Sequence, residues 1–200
     1  MSDLKLNDLD RYRKRSDSLI LQEYSHCEVP AGCGGVVLRW VDLDEAVPLT
    51  VYAAAAGGIA LSLDGVAVPS ALLNVPLGDH VVGMCITGGQ PEATTVQLAG
   101  VYRPNPLRYD EAEHQVLLCS RADVPWRAVT RKPPDGWDTL GFDDRAWSEL
   151  TPLPGSSSEA LRWNRQRVEK YGAVALGLPS YRGRLWVRAP LSLRAGAVRP

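Results

Sequence analysis

The chain has 200 residues, of which 45% are hydrophobic and 22% charged, the balance of one folded domain rather than of a disordered, collagenous or coiled-coil chain. No apolar run reaches the roughly 18–20 residues that a helix needs to span a bilayer. A formal net charge of −1 points to neither a polybasic nucleic-acid binder nor an acidic tail.

Residues 1–22 read as a tail or short helix. Leu4, Leu6, Leu9 and Tyr12 have weak helical spacing, and the basic cluster Arg11, Arg13, Lys14 and Arg15 is flanked by Asp8, Asp10 and Asp17. The opening residues Met1 to Asp8 are polar and lack the apolar core of a signal peptide, so a cytoplasmic location is expected. Beyond them the pattern changes to short strands. Ser18 to Gln22, Val36 to Val41 and Leu49 to Ala53 are the first three. Ile59 to Val68 reads as a hairpin, because apolar alternation flanks Asp64-Gly65 on both sides. His80 to Ile86, Thr94 to Ala99 and Gln115 to Cys119 continue the series at roughly ten-residue spacing, with Gly, Pro and Asp between. The later part differs. Pro133 to Gly136 is a turn, Asp143 to Trp147 reads as one helical turn capped by Asp143, and Leu153 to Glu159 is a loop. Arg184 to Ala189 is a strand with Leu185 and Val187 on one face and Trp186 and Arg188 on the other. The fold class expected is therefore all-β, a jelly-roll-like antiparallel sandwich spanning residues 23–195 as a single domain, with residues 196–200 frayed.

The net charge hides a division. Residues 24–120 carry three basic side chains against ten acidic ones, whereas residues 121–200 carry fourteen basic against eight acidic. If the fold segregates these stretches, the protein has oppositely charged surfaces that steer association. If it mixes them, the charges pair locally. Eighteen of the twenty-two basic residues are Arg, the side chain suited to planar contacts with carboxylates and phosphates. The six Trp serve equally as core, as interface anchors or as sugar platforms.

Candidate chemistry is sparse. His26, Cys27 and Cys33 are metal-ligand types, but their spacing lacks the tight Cys-x2-Cys knuckle of zinc sites, and reduced loop or core cysteines are expected. Cys85 and Cys119 lie in apolar runs, where a thiol acts as a small hydrophobe. His80 and His114 read as surface residues. Ser25 and His26 lack a nucleophile-elbow context, and the acids Asp42, Asp44, Glu45, Asp143 and Asp144 sit in turns rather than across a cleft. No catalytic residue, cofactor or metal is assigned, and the chain reads as a non-enzyme. Arg and Trp interleave between Arg162 and Tyr171, a pattern that suits an amphipathic turn or a phosphate backbone. The neutral total and the intervening acids argue against nucleic acid.

The stretch with Trp126, Trp137, Gly141, Phe142, Asp143, Asp144, Trp147, Leu150 and Pro152 resembles a signature of galactose-binding-like β-sandwiches, the accessory domains of β-galactosidases and α-L-rhamnosidases. Leu185 to Arg188 is similar to that family's aromatic-Arg strand, and Ile59 to Val68 followed by Leu77 to Val82 is similar to its hairpin and following strand. The order differs, since the Phe-Asp-Asp element here follows the hairpin. A circularly permuted sandwich or two incomplete copies would account for this, and one sandwich assembled from both parts is expected. The resemblance implies a structural role for Phe142, Asp143, Asp144 and Trp147, capping backbone and pinning the loop. Two functional expectations follow. One is a structural or assembly protein making protein contacts or self-associating. The other is a carbohydrate-binding module with exposed Trp or Tyr as its platform. Trp126, Trp137, Trp147, Trp163, Arg165 and Arg167 are the candidate partner- or ligand-binding residues.

Overall fold

A computed structural model describes residues 46–55, 57–68, 71–88, 92–104 and 111–194. The tail at 1–22, the strands read at Ser18 to Gln22 and Val36 to Val41, the His26, Cys27 and Cys33 cluster and the frayed end at 196–200 lie outside them.

In chain order the strands are β1 (Ala46–Ala55), β2 (Ile59–Leu63), β3 (Val66–Val68), β4 (Leu72–Pro76), β5 (Gly78–Ile86), β6 (Thr95–Tyr102), β7 (Gln115–Cys119), β8 (Arg127–Val129), β9 (Ser148–Glu149), β10 (Thr151–Pro152), β11 (Leu176–Gly177) and β12 (Leu185–Leu193). One α-helix, α1 (Arg162–Lys170), stands between β10 and β11 among the described residues. The strands form two sheets, both antiparallel throughout. The first runs β10-β11-β6-β1-β4, with β7 also on β6, and the second runs β3-β2-β5-β12-β8-β9. The protein is an all-β sandwich.

Alternation explains the packing. Along β1, Val47, Leu49 and Val51 point inward, and along β12 Leu185, Val187, Ala189, Leu191 and Leu193 do the same. With Leu73, Val75, Met84, Ile86, Leu98 and Trp126 they fill the space between the sheets. β6 is buried along its whole length because its other face is covered too. There Ala54, Ala99, Val101 and Cys119 meet Val168 of α1, and the small side chains let the helix lie close.

The hairpin turn has the backbone that its residues favour. Asp64 has φ 48° and Gly65 φ 84°, both left-handed, as a two-residue hairpin loop requires. The Asp64 carboxylate accepts from Val81 N–H at 2.9 Å and faces His80 Nδ1 at 2.6 Å, tying the turn to β5. His80 is consequently buried, with Nε2 2.9 Å from the Pro76 carbonyl, which corrects its reading as a surface residue. His114 is half-buried, with Nδ1 2.9 Å from Tyr171 Oη.

Asp143 to Trp147 forms a single hydrogen-bonded turn, in which Trp147 N–H donates to the Asp144 carbonyl at 2.9 Å and Asp143 Oδ1 caps Arg145 N–H at 3.1 Å. One further expectation is corrected. The Arg- and Trp-rich stretch is a full helix, α1, whose only buried residue is Val168.

Candidate binding face

The outer face of the second sheet holds the most distinctive chemistry. Residues in register across an antiparallel sheet project to the same side. One such row runs Ser62, Gly83, Arg188, Arg127 across β2, β5, β12 and β8. The next runs Ala60, Cys85, Trp186, Val129. The two rows are finished differently.

The loop after β8 folds over the first row. Arg188 is only 5% exposed, yet its guanidinium is fully engaged. Nε donates to Asp144 Oδ2 at 2.7 Å, Nη1 donates to the Thr139 carbonyl at 2.9 Å and also to the Trp137 carbonyl, and Nη2 lies 3.5 Å from the Phe142 carbonyl. The guanidinium carbon sits 5.3 Å from the centre of the Phe142 ring. The second Asp144 oxygen faces Arg127 Nη1 at 3.2 Å, so one carboxylate joins two arginines that stand opposite each other in the sheet. Without that acid the pairing would set like charges side by side, at a cost. Trp137 stacks on Trp147 with ring centres 6.0 Å apart, and Phe142 meets Trp147 edge-on at 5.6 Å. Ser62 Oγ donates to Asp138, and Gly83 leaves room for the loop, since a Cβ there would lie 3.2 Å from the Trp137 ring and 2.5 Å from Asp138 Cβ.

The second row lies open. Trp186 and Val129 are half-buried, and the Arg184 guanidinium carbon stands 5.9 Å from the centre of the Trp186 ring. Two residues beyond the Trp186–Val129 pair, the same two segments carry Arg184 and Arg131. Tyr181 Oη, 3.0 Å from the Arg184 carbonyl and 3.4 Å from the Thr130 carbonyl, holds them side by side. Arg131, Lys132, Arg182 and Arg184 are all exposed, and among the described residues no carboxylate lies within ion-pair distance of any of them.

The expected site residues therefore scatter. Trp126 is fully buried between the sheets, with its indole N–H meeting no acceptor among the described residues, so its reading as a binding residue is corrected to core. Trp137 and Trp147 sit half-exposed in the loop, with Phe142 and Asp144 beneath them. Asp143 points outward and pairs with Arg145. Trp163, Arg165 and Arg167 lie across the molecule on α1. Trp163 is 77% exposed, while Arg165 donates to the Ser156 carbonyl and faces Glu169 at 3.7 Å. Arg167 lies over Tyr52 at 5.2 Å, which itself stacks on Tyr171 at 5.6 Å. Arg167 and Asn164 also line a groove of about 680 Å³ whose other walls are mainly aliphatic residues of β1, β2 and β3. Sequence reasoning missed Arg184, Arg131 and Arg182 as a set. The available signal was the Arg-x-Trp-x-Arg alternation from Arg184 to Arg188, which places three large side chains on one sheet face.

Electrostatics follow the contacts. The Arg145 guanidinium and backbone N–H hold the Asp143 carboxyl well below the usual carboxylate range. Hydrogen bonds from Ser192 and Arg194 lower Asp79, and those from Ser156 and Ser157 lower Glu92. Burial raises the Cys119 thiol. Among the described residues no helix is long and apolar enough to cross a membrane.

Comparison with known proteins adds no relative: no family model, no curated protein and no solved structure matches this chain.

Proposed function

We propose that this protein is a non-catalytic structural or assembly protein that makes protein contacts, self-association included, through the open Arg and Trp row of its second sheet. The single observation that carries this reading is the set of four exposed cations, Arg131, Lys132, Arg182 and Arg184, on the segments next to Trp186, with Arg184 against its ring and no ion-pairing acid among the described residues. Arg and Trp are the residues that dominate protein interfaces, and unneutralised charge speeds encounter with an acidic partner. The half of the chain up to residue 120 carries an excess of acids, so a second copy is chemically suited to be that partner. The thiols of Cys85 and Cys119 are free, which suits a reducing, cytoplasmic setting.

Light scattering of the purified chain tests this. At about 0.05 M salt it should give a mass above one chain, which falls toward the monomer near 1 M, where screening shortens to roughly 3 Å. A monomer at both salts overturns self-assembly. A second reading, a carbohydrate-binding module, is favoured by Trp163, whose 77% exposure leaves a bare ring on α1 for a sugar to stack on. Its support would be glycan-array binding abolished by Trp163→Ala, and an array without binders removes it.

A further inference from the structure

The covered row supplies a template for the open one. Arg127 and Arg188 stand opposite each other, and Asp144 joins them through its two oxygens at 3.2 and 2.7 Å. The Arg188 guanidinium carbon lies 5.3 Å from the Phe142 ring centre while Nε donates to the Asp144 carboxylate. Four residues before Arg188 and four after Arg127, just beyond the paired ends of β12 and β8, stand Arg184 and Arg131. Arg184 and Arg131 run along adjacent segments held by Tyr181, and the Arg184 guanidinium rests on Trp186 as that of Arg188 rests on Phe142. What differs is the acid: neither Arg184 nor Arg131 meets a carboxylate among the described residues.

We infer that the Arg131–Arg184 pair over Trp186 is a seat for an aspartate or glutamate side chain of a protein partner, bound between the two guanidinium groups as Asp144 is bound between Arg127 and Arg188. Contact with Trp186, whose ring centre is 5.9 Å from the Arg184 guanidinium carbon, restricts that side chain and lowers the ordering cost of a two-point contact. Arg182 and Lys132, exposed and close in sequence to the pair, would extend the seat to an acidic segment rather than a single residue. A peptide is favoured over a nucleic acid by the template itself, since the occupant of the matching covered seat is a carboxylate. Net charge adds no phosphate-seeking field beyond these four cations.

This inference rests on the assembly reading but has its own test. The full chain is titrated calorimetrically with hexaglutamate at low salt, beside a hexathymidylate control. Binding of hexaglutamate is expected, weakened roughly tenfold or more by Arg131→Glu with Arg184→Glu. It should change less than about threefold with Arg145→Glu and Arg162→Glu, which shift the net charge equally but lie at cations already paired to Asp143 and Glu159. Trp186→Ala should weaken binding with the charges unchanged. Equal loss in the control pair, tighter binding of hexathymidylate, or no hexaglutamate binding each overturns the seat. If the Arg131 and Arg184 variant loses hexaglutamate yet still forms salt-sensitive oligomers, the seat is not the assembly contact, and the assembly reading stands without it.

Discussion

Arg188 lies on β12 and Arg184 immediately precedes that strand; they stand two residues either side of Trp186, and each has an aromatic ring within 6 Å of its guanidinium carbon. One is buried and makes bonds to a carboxylate and to carbonyls of one loop. The other is exposed and meets no carboxylate among the described residues. The difference lies in what the chain returns to them. The loop between β8 and β9 brings Asp144 and three carbonyls to Arg188 and stops short of Arg184. Residue type therefore does not separate a structural arginine from a partner-binding one on this face. The convergence of acceptors does, because a buried guanidinium is tolerated only when its donors are satisfied.

The sharpest way to break this comparison is to truncate both arginines in turn. Arg188→Ala leaves Asp144 with one arginine and strips donors from the loop carbonyls, so a loss of about 3 kcal/mol is expected in urea unfolding. Arg184→Ala, at an exposed site, should stay within about 0.5 kcal/mol of the parent. Equal costs would show that the covered row is not held as described. Arg188→Lys should recover only a fraction, since an ammonium cannot reproduce the fork.

The next effect comes from beneath the loop. Gly83→Ala places a Cβ against Ser62 Oγ, Asp138 Cβ and the Trp137 ring, and the last two yield only if the loop lifts. A loss of about 1–3 kcal/mol is expected, together with a red-shifted tryptophan emission as Trp137 and Trp147 gain water. The open row should keep its hexaglutamate affinity. If it does not, the two rows are mechanically coupled and the comparison must be redrawn.

Much of the strand framework was legible because period-two alternation and turn chemistry act locally. The Asp64-Gly65 hairpin, β5, β7 and β12 emerged close to their observed positions, and the face assignment of Trp186 and Arg188 followed from the same rule. What escaped depends on contacts far apart in the chain. Short β8 has only three residues over which to alternate, and α1 shows little apolar periodicity because Val168 is its only buried side chain. Trp126 reads like any other tryptophan until the sheets close over it. The role of Arg188 is set by Asp144, forty-four positions away, and nothing near Arg188 announces that acid. The Phe142 to Trp147 stretch stood out as a unit, but its tie to the sheet through Arg188 and Arg127 appears only in three dimensions.

The smallest effect separates two adjacent carboxylates. Asp144 is enclosed between arginines, whereas Asp143 points to solvent, with Arg145 as its partner at 2.7 Å. Arg145 holds the Asp143 carboxyl below the usual range near 4, so its contribution to stability is complete above that range and is lost as pH falls through the lowered folded value. Asp79 and Glu92, also lowered by their hydrogen bonds, act in the same direction. Because the Asp143–Arg145 pair is exposed and screened, Asp143→Asn should move the neutral-pH urea midpoint only slightly, and added salt should shrink even that. Followed from pH 7 to pH 2, the midpoints of the parent and the Asp143→Asn variant should converge, since the parent loses by protonation what the variant lacks from the start. A gap that widens on acidification would reverse the sign of the argument. A neutral-pH gap as large as that of Arg188→Ala would mean that the outward carboxylate, not Asp144, carries the loop.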